Sequence, residues 1–219
     1  MTRLLTFLFA TLLSFTTVTE VLAQAAWEAP LKAQLERIDA EGSPAVVKQT
    51  APTIERIALG NPDAWIPNYY AARISLLQHY MAGEDGCLPC IDKVDSFLEI
   101  AEKADNNSEV MTLRASYYQT MLGLYPMRAP YYAPKAANRL EQAIEADASN
   151  PRAHSLLGQN YYYTPAMFGG GPTKAAPYLA TAVELFDAEA AQTDRNSFLP
   201  TWGADRAKAM HGKAVVEAN

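Results

Sequence analysis

The sequence predicts an all-α protein of about eight or nine helices, arranged as helix-turn-helix pairs stacked into a solenoid. Three observations carry that expectation. Met111, Ala115 and Tyr118 recur as His154, Gly158 and Tyr161 forty-three residues later, and Ala72 stands forty-three residues before Ala115. On a second set of helices, Val94, Leu98 and Ala101 are matched by Ala136, Leu140 and Ala143, and again by Ala175, Leu179 and Ala182. Finally, Asn150-Pro151 divides the stretch 136–161 into two apolar patterns, and an Asn cap followed by Pro in the first turn opens a new helix. Such a period marks one repeated unit, because a lone helix pair cannot bury its apolar face without a stacked neighbour.

Taken in order, the N-terminus reads as a secretory signal peptide over residues 1–23. Arg3 precedes an apolar run from Leu4 to Phe15, and Val21-Leu22-Ala23 supplies a cleavage site before Gln24. The run is shorter than the roughly 20 residues that span a bilayer, and no cysteine near the site invites lipid attachment. The expectation is an exported chain, periplasmic or secreted, with no membrane association after cleavage. Cleavage removes Arg3 and Glu20, which leaves the formal net charge of −6 unchanged. That acidic balance, with no run of Lys or Arg, argues against nucleic acid or an anionic membrane as partner.

Residues 24–62 predict two helices. Trp27, Leu31, Leu35 and Ile38 fall at helical spacing and Gly42 ends the first, while Ser43-Pro44 opens a second through Ile54 and Ile57. Pro52 inside that second pattern predicts a kink or a split. From Asp63 to Met81, Trp65, Tyr69, Ala72 and Leu76 share one face, and aromatics at this spacing read as core. The loop 82–89 then delivers Cys87 and Cys90, the two cysteines of the chain, in C-L-P-C. A close pair in an exported protein reads as a disulfide. A redox-active pair is the alternative, but the βαβ setting that accompanies one is missing; a metal site with His79 lacks a fourth ligand.

Asn106-Asn107-Ser108 caps the next helix, which runs to about Leu124. The stretch 125–134, Y-P-M-R-A-P-Y-Y-A-P, predicts a stiff, partly extended loop packed over one edge, or else one presenting Tyr131 and Tyr132 to a partner. After the helix that follows Pro151, the turn T-P-A-M-F-G-G-G-P-T-K predicts a tight reversal with Met167 and Phe168 tucked beneath it. An anion cradle at the next helix N-terminus is the alternative, although the P-loop spacing is absent. The last segment, 199–219, carries Trp202 as an anchor and a helix whose Ala204, Ala207, Met210 and Ala214 cover the open end of the stack.

Catalytic patterns are absent. His79, His154 and His211 belong to different helices, none of H-E-x-x-H, G-x-S-x-G or G-x-G-x-x-G occurs, and the carboxylates are scattered along polar faces. No catalytic residue, metal or cofactor is assigned.

In its repeated residues the chain resembles the tetratricopeptide repeat (TPR) family. The best copy reads His154, Leu157, Gly158, Tyr161, Ala175, Leu179, Ala182. It departs from the family where His154 replaces the usual Trp and Ala148 the closing Pro. The turn within each pair is also longer: the small residues stand 22, 21 and 17 positions apart, against about 12 in a 34-residue repeat. The resemblance covers repeats at about 65–106, 107–149 and 150–190, within 63–198. It implies a right-handed solenoid whose first helices line a concave groove, and a non-enzymatic scaffold that binds a protein or peptide there. Carried over residue by residue, the groove residues are Tyr69 and Arg73, then Thr112, Ser116 and Gln119, then Arg152, Ser155, Gln159 and Tyr162. This mixture of Arg, Tyr and amides suits a peptide main chain or a carboxylate. A resemblance to exported repeat proteins that partner solute-binding proteins gives the alternative, a periplasmic small-ligand-binding or transporter accessory protein. A thiol oxidoreductase using Cys87 and Cys90 is the third reading.

Overall fold

The computed structural model describes residues 26–84, 86–192 and 198–218, so the expected signal segment lies outside the described residues. Helix α1 covers 26–41 and is followed by α2 (Pro44–Leu59), α3 (Trp65–Met81), α4 (Leu88–Ala104) and α5 (Ser108–Leu124). Then come α6 (Ala129–Ala146), α7 (Pro151–Tyr163), α8 (Pro172–Ala190) and α9 (Ala204–Ala218). Among the described residues there is no strand, and no helix is long and apolar enough to cross a membrane. The all-helical stack that the sequence predicts is the fold observed.

Side chains at the helix starts explain where the elements begin. The Ser43 hydroxyl accepts from the Val46 N–H at 3.3 Å, and Asn107 accepts from Val110 at 3.1 Å. Asn150 accepts from Arg152 and Ala153 at 2.9 and 3.3 Å, so donors that have no partner within the helix are satisfied. The same Asn150 donates to Ser108 Oγ at 2.9 Å, and Ser108 donates to the Ala143 carbonyl at 2.8 Å. One polar relay thus fastens the start of α5 to the end of α6 and the start of α7.

Packing follows the forty-three-residue register. α3 lies on α4, α5 on α6 and α7 on α8, with α2 against α3 and α9 against α8. On the outer helices, Val94, Leu98, Ala101, Ala136, Leu140, Ala143, Ala175, Leu179 and Ala182 are all fully buried. On the inner helices, Ala72, Ala115 and Gly158 occupy the crossings. A Cβ at Gly158 would lie 2.7 Å from Leu179 Cγ and 3.2 Å from the Leu179 backbone nitrogen, so the absence of a side chain is what lets α7 and α8 touch.

Three local expectations are corrected. Pro52 does not interrupt α2, because it and Lys48, whose carbonyl it leaves unpaired, both face solvent. The stretch 125–134 is not extended: a short 3₁₀ turn at Pro126–Arg128 leads into α6, where Pro130 sits in the tolerant first turn and Pro134 on the exposed face. It exposes Tyr131 and buries Tyr132. Met167 and Phe168 are not tucked beneath their turn but stand 83% and 71% exposed. That turn closes on its own backbone, with the N–H groups of Gly169, Gly170 and Gly171 donating to Ala166, Pro165 and Tyr161. Those donors are therefore not free for an anion.

Between α8 and α9 the described part of the connection, 198–203, runs back across the inner helices. Phe198 packs edge-on to Trp27 with ring centroids 5.2 Å apart, and its carbonyl accepts from the Tyr70 hydroxyl at 3.0 Å. Trp202 Nε1 donates to the Tyr69 hydroxyl at 2.9 Å. Gly203, at φ 111°, passes so close to Phe186 that a Cβ there would lie 2.9 Å from the ring.

Candidate functional site

The segment 198–203, which straps the inner helices α3, α5 and α7, borders with them a cavity of about 650 Å3. Arg73, Leu76, Leu77 and Tyr80 come from α3, and Leu156, Gln159, Asn160 and Tyr163 from α7. Both sets follow the i, i+3, i+4, i+7 spacing that puts four side chains on one helical face. Between them, α5 supplies Leu113, Ser116, Gln119, Leu122 and Gly123, while Trp202 and Arg206 close the remaining side. The wall is mostly apolar, with polar groups gathered at a few points.

Two cations belong to that wall. Arg206 is exposed, and its Nε donates to Gln159 Oε1 at 2.6 Å; Gln159 in turn donates to Ser155. Arg73 is half-buried and borders the cavity, with its guanidinium carbon 4.8 Å from the centre of the Trp202 ring. Burial lowers its pKa from the usual guanidinium value, against the weaker influence of Tyr69, Tyr70 and Asp39. Tyr69, fully buried, has its pKa raised well above the phenol range, by burial first and then by Glu109, so it is neutral at ordinary pH.

The residues expected from the sequence divide into three groups. Arg73, Ser116, Gln119 and Gln159 line the cavity. Tyr69, Thr112, Arg152 and Ser155 are buried between helices, which corrects the expectation that they are exposed there. Thr112 bonds back to the Ser108 carbonyl at 2.7 Å, and Arg152, 2% exposed, is held by Glu109 at 2.8 Å and by both oxygens of Glu189. Burial opposes the charge of Arg152, but hydrogen bonding to Glu189 and the charge of Glu109 outweigh it and raise its pKa. Tyr162 points elsewhere, donating to Glu217 of α9 at 2.7 Å.

Leu76, Leu77, Tyr80, Leu113, Leu122, Gly123, Leu156, Asn160, Tyr163, Trp202 and Arg206 also line the cavity, and none is among the groove residues expected from the sequence. A usable signal was present for the helical ones, since each inner helix carries apolar residues beyond those its core stripe needs. Trp202 and Arg206 reach the site only through the long-range path of the strap, which no local pattern announces.

Cys87 and Cys90 form a disulfide ahead of the second turn of α4. The Cys87 N–H donates to His79 Nδ1 at 3.0 Å, so that histidine anchors the loop and its Nδ1 carries no proton. Among the described residues, no three or more His, Cys, Asp and Glu gather into a metal-binding group.

No protein-family model and no curated protein sequence matches the chain. Two solved structures are similar to it. The HusA haemophore from Porphyromonas gingivalis is 26% identical, the match covering 88% of this chain and 96% of that one, with a TM-score of 0.73. A thermophilic TPR protein from Thermus thermophilus is 20% identical over 88% of this chain and 91% of that one, with a TM-score of 0.55. The period, the buried register and these likenesses together show that the fold is a TPR-like stack of helical repeats.

Proposed function

We propose that this protein is a non-enzymatic carrier that holds a flat, apolar small molecule of the tetrapyrrole class in the cavity between α3, α5 and α7. The observation that supports it most is the cavity itself. At about 650 Å3, mostly apolar and with a few convergent polar groups, it has the size and lining of a small-molecule site. The likeness to a haemophore over nearly the whole chain points to the ligand class. The lining fits such a ligand by shape and polarity: Leu76, Leu77, Leu113 and Leu156 offer apolar contact, and Arg73 and Arg206 offer charge. It offers no histidine, cysteine or methionine to a metal, only the phenols of Tyr80 and Tyr163. Recognition is therefore of the ring and its substituents, and an iron-free ring should bind much as the iron complex does.

A peptide, the occupant implied by the repeat resemblance, has less support. Four of the polar side chains meant to meet its backbone, Tyr69, Thr112, Arg152 and Ser155, are already committed to the packing. Export belongs to the same proposal, supported by the apolar N-terminal run and by a disulfide suited to an oxidising compartment.

Titration of the mature chain with haemin and with protoporphyrin IX, followed by absorbance and tryptophan quenching, tests the reading. Both should bind with comparable micromolar or tighter affinity. Ser116→Trp, which fills the cavity from its α5 wall, should abolish both while leaving the melting temperature nearly unchanged. No binding by the wild-type protein, or undiminished binding by the Trp variant, would falsify it.

A further inference from the structure

We infer that Arg73 is the anion-binding pole of the cavity, the group that takes a carboxylate of the bound ligand. This rests on the tetrapyrrole reading and assigns the ligand's orientation within the site.

Arginines held between the helices of this chain are matched by carboxylates. Arg114, with 5% of its side chain exposed, is bound by Asp95 and by both oxygens of Glu102. Arg152 is bound by Glu109 and Glu189. Arg73 has no carboxylate within ion-pair distance among the described residues, and Asp39 acts on it only through space. Its contact is a ring: the guanidinium lies over Trp202, and Trp202 is fixed by its hydrogen bond to Tyr69. That phenol is held neutral by burial and supplies no negative charge.

A guanidinium carries five N–H donors in one plane, and an indole face satisfies its charge only in part and its donors not at all. Half-burying such a group without a counter-ion carries a cost, and Arg73 borders the cavity, so a cation left in this state on a cavity wall suits an anion that arrives with the ligand. Arg73 is also positioned in advance. It is braced by Trp202 on one side and followed along the same helical face by Leu76, Leu77 and Tyr80, a run of two turns or about 10 Å. A ligand with an acidic edge and an apolar plane fits in one direction: the acid at Arg73 and Trp202, the plane across the leucines, the far edge towards Tyr80 and Tyr163 at the exposed rim. Arg206 does not compete for this role, because it is exposed and already donates to Gln159.

The experiment compares protoporphyrin IX with its dimethyl ester, which keeps the plane and removes both negative charges, titrated under identical detergent conditions into the mature chain. Hydrogen bonds to a charged group are worth enough that the diacid should bind roughly tenfold or more tightly than the ester. Arg73→Gln should bring the diacid down to the affinity of the ester and leave the ester itself within about twofold of its wild-type value. Arg73→Lys should retain part of the preference, and Arg206→Gln most of it. Equal binding of acid and ester by the wild-type protein, or a preference that survives in Arg73→Gln, overturns the assignment while the carrier reading stands. Binding of neither ring overturns both. Should Arg73→Gln fail to fold, the wild-type acid-to-ester ratio and Arg73→Lys still decide the matter.

Discussion

Arg152 and Arg73 both stand on inner helices, the first buried and the second half-buried, yet they do opposite things. Arg152 is saturated: Glu109 reaches it from α5 and Glu189 from α8, and its Nη1 lies 3.5 Å from the Trp202 carbonyl. Arg73 has the ring of that same Trp202 and a cavity in front of it. The strap residue thus closes one arginine into the packing and presents the other to a ligand. What separates structure from site here is not only burial, which is complete at Arg152 and partial at Arg73, but whether the fold itself supplies the opposite charge.

The largest effect should come from opening the saturated side. Arg152→Ala removes the cation that Glu109 and Glu189 share, and removing one partner of a buried ion pair costs roughly 3–5 kcal/mol. Chemical denaturation should show that loss, together with a loosened C-terminal strap. A variant within experimental error of the wild-type protein would mean that water, not Arg152, satisfies the two carboxylates. Next comes Gly158→Leu, one residue from the cavity-lining Gln159. Its side chain would meet Leu179 at a crossing already in contact, and overpacking of this kind costs roughly 1–3 kcal/mol. Unchanged thermal stability would show that α7 and α8 separate easily.

Arg73→Met inverts the comparison. Replacing a half-buried charge that lacks a counter-ion by an apolar side chain of similar length costs little, so the melting temperature should hold while ligand affinity falls. A drop of more than about 1 kcal/mol would assign Arg73 to the packing alongside Arg152.

The sequence reading placed the register correctly and the groove face only in part, and the inner helices show why. Ala72, Ala115 and Gly158 mark the helix crossings, as their recurrence suggested. The residues one position later, Arg73, Ser116 and Gln159, all line the cavity. Those three positions before the crossings, Tyr69, Thr112 and Ser155, are all buried, although Thr112 and Ser155 are polar and read as surface. In a solenoid an inner helix touches its own partner and both neighbours, so its buried stripe is wider than in an isolated pair, and polar residues fall inside it. The buried Thr112 shows how such a residue is tolerated, by bonding back to its own helix. The prolines misled for a related reason. Pro52 and Pro134 both sit on solvent-facing turns, where the carbonyl each leaves without an intrahelical partner is free to meet water.

The smallest effect is expected where the saturated arrangement is repeated nearer to solvent. Glu102 of α4 accepts from Arg114 of α5 at 2.9 Å and from Arg139 of α6 at 2.7 Å, beside an open, polar trough between these helices. Its partial burial works against the charged form, but the two guanidinium groups outweigh that and hold its pKa below the usual carboxylate value. A carboxylate whose pKa is lower in the folded chain than in the unfolded one binds fewer protons when folded. Its stabilising contribution is therefore complete above the unfolded value, about 4.3, and is lost as pH falls through the folded value. Melting curves of the wild-type protein and Glu102→Gln should accordingly differ at pH 7 and converge towards pH 3. The gap should be modest, since 24% of the Arg139 side chain and 48% of Asp95 remain exposed and solvent screens the cluster. A gap of constant size from pH 7 to pH 3 would show that Glu102 acts by packing and not by charge, and that the contrast between saturated and open arginines is confined to the inner helices around Trp202.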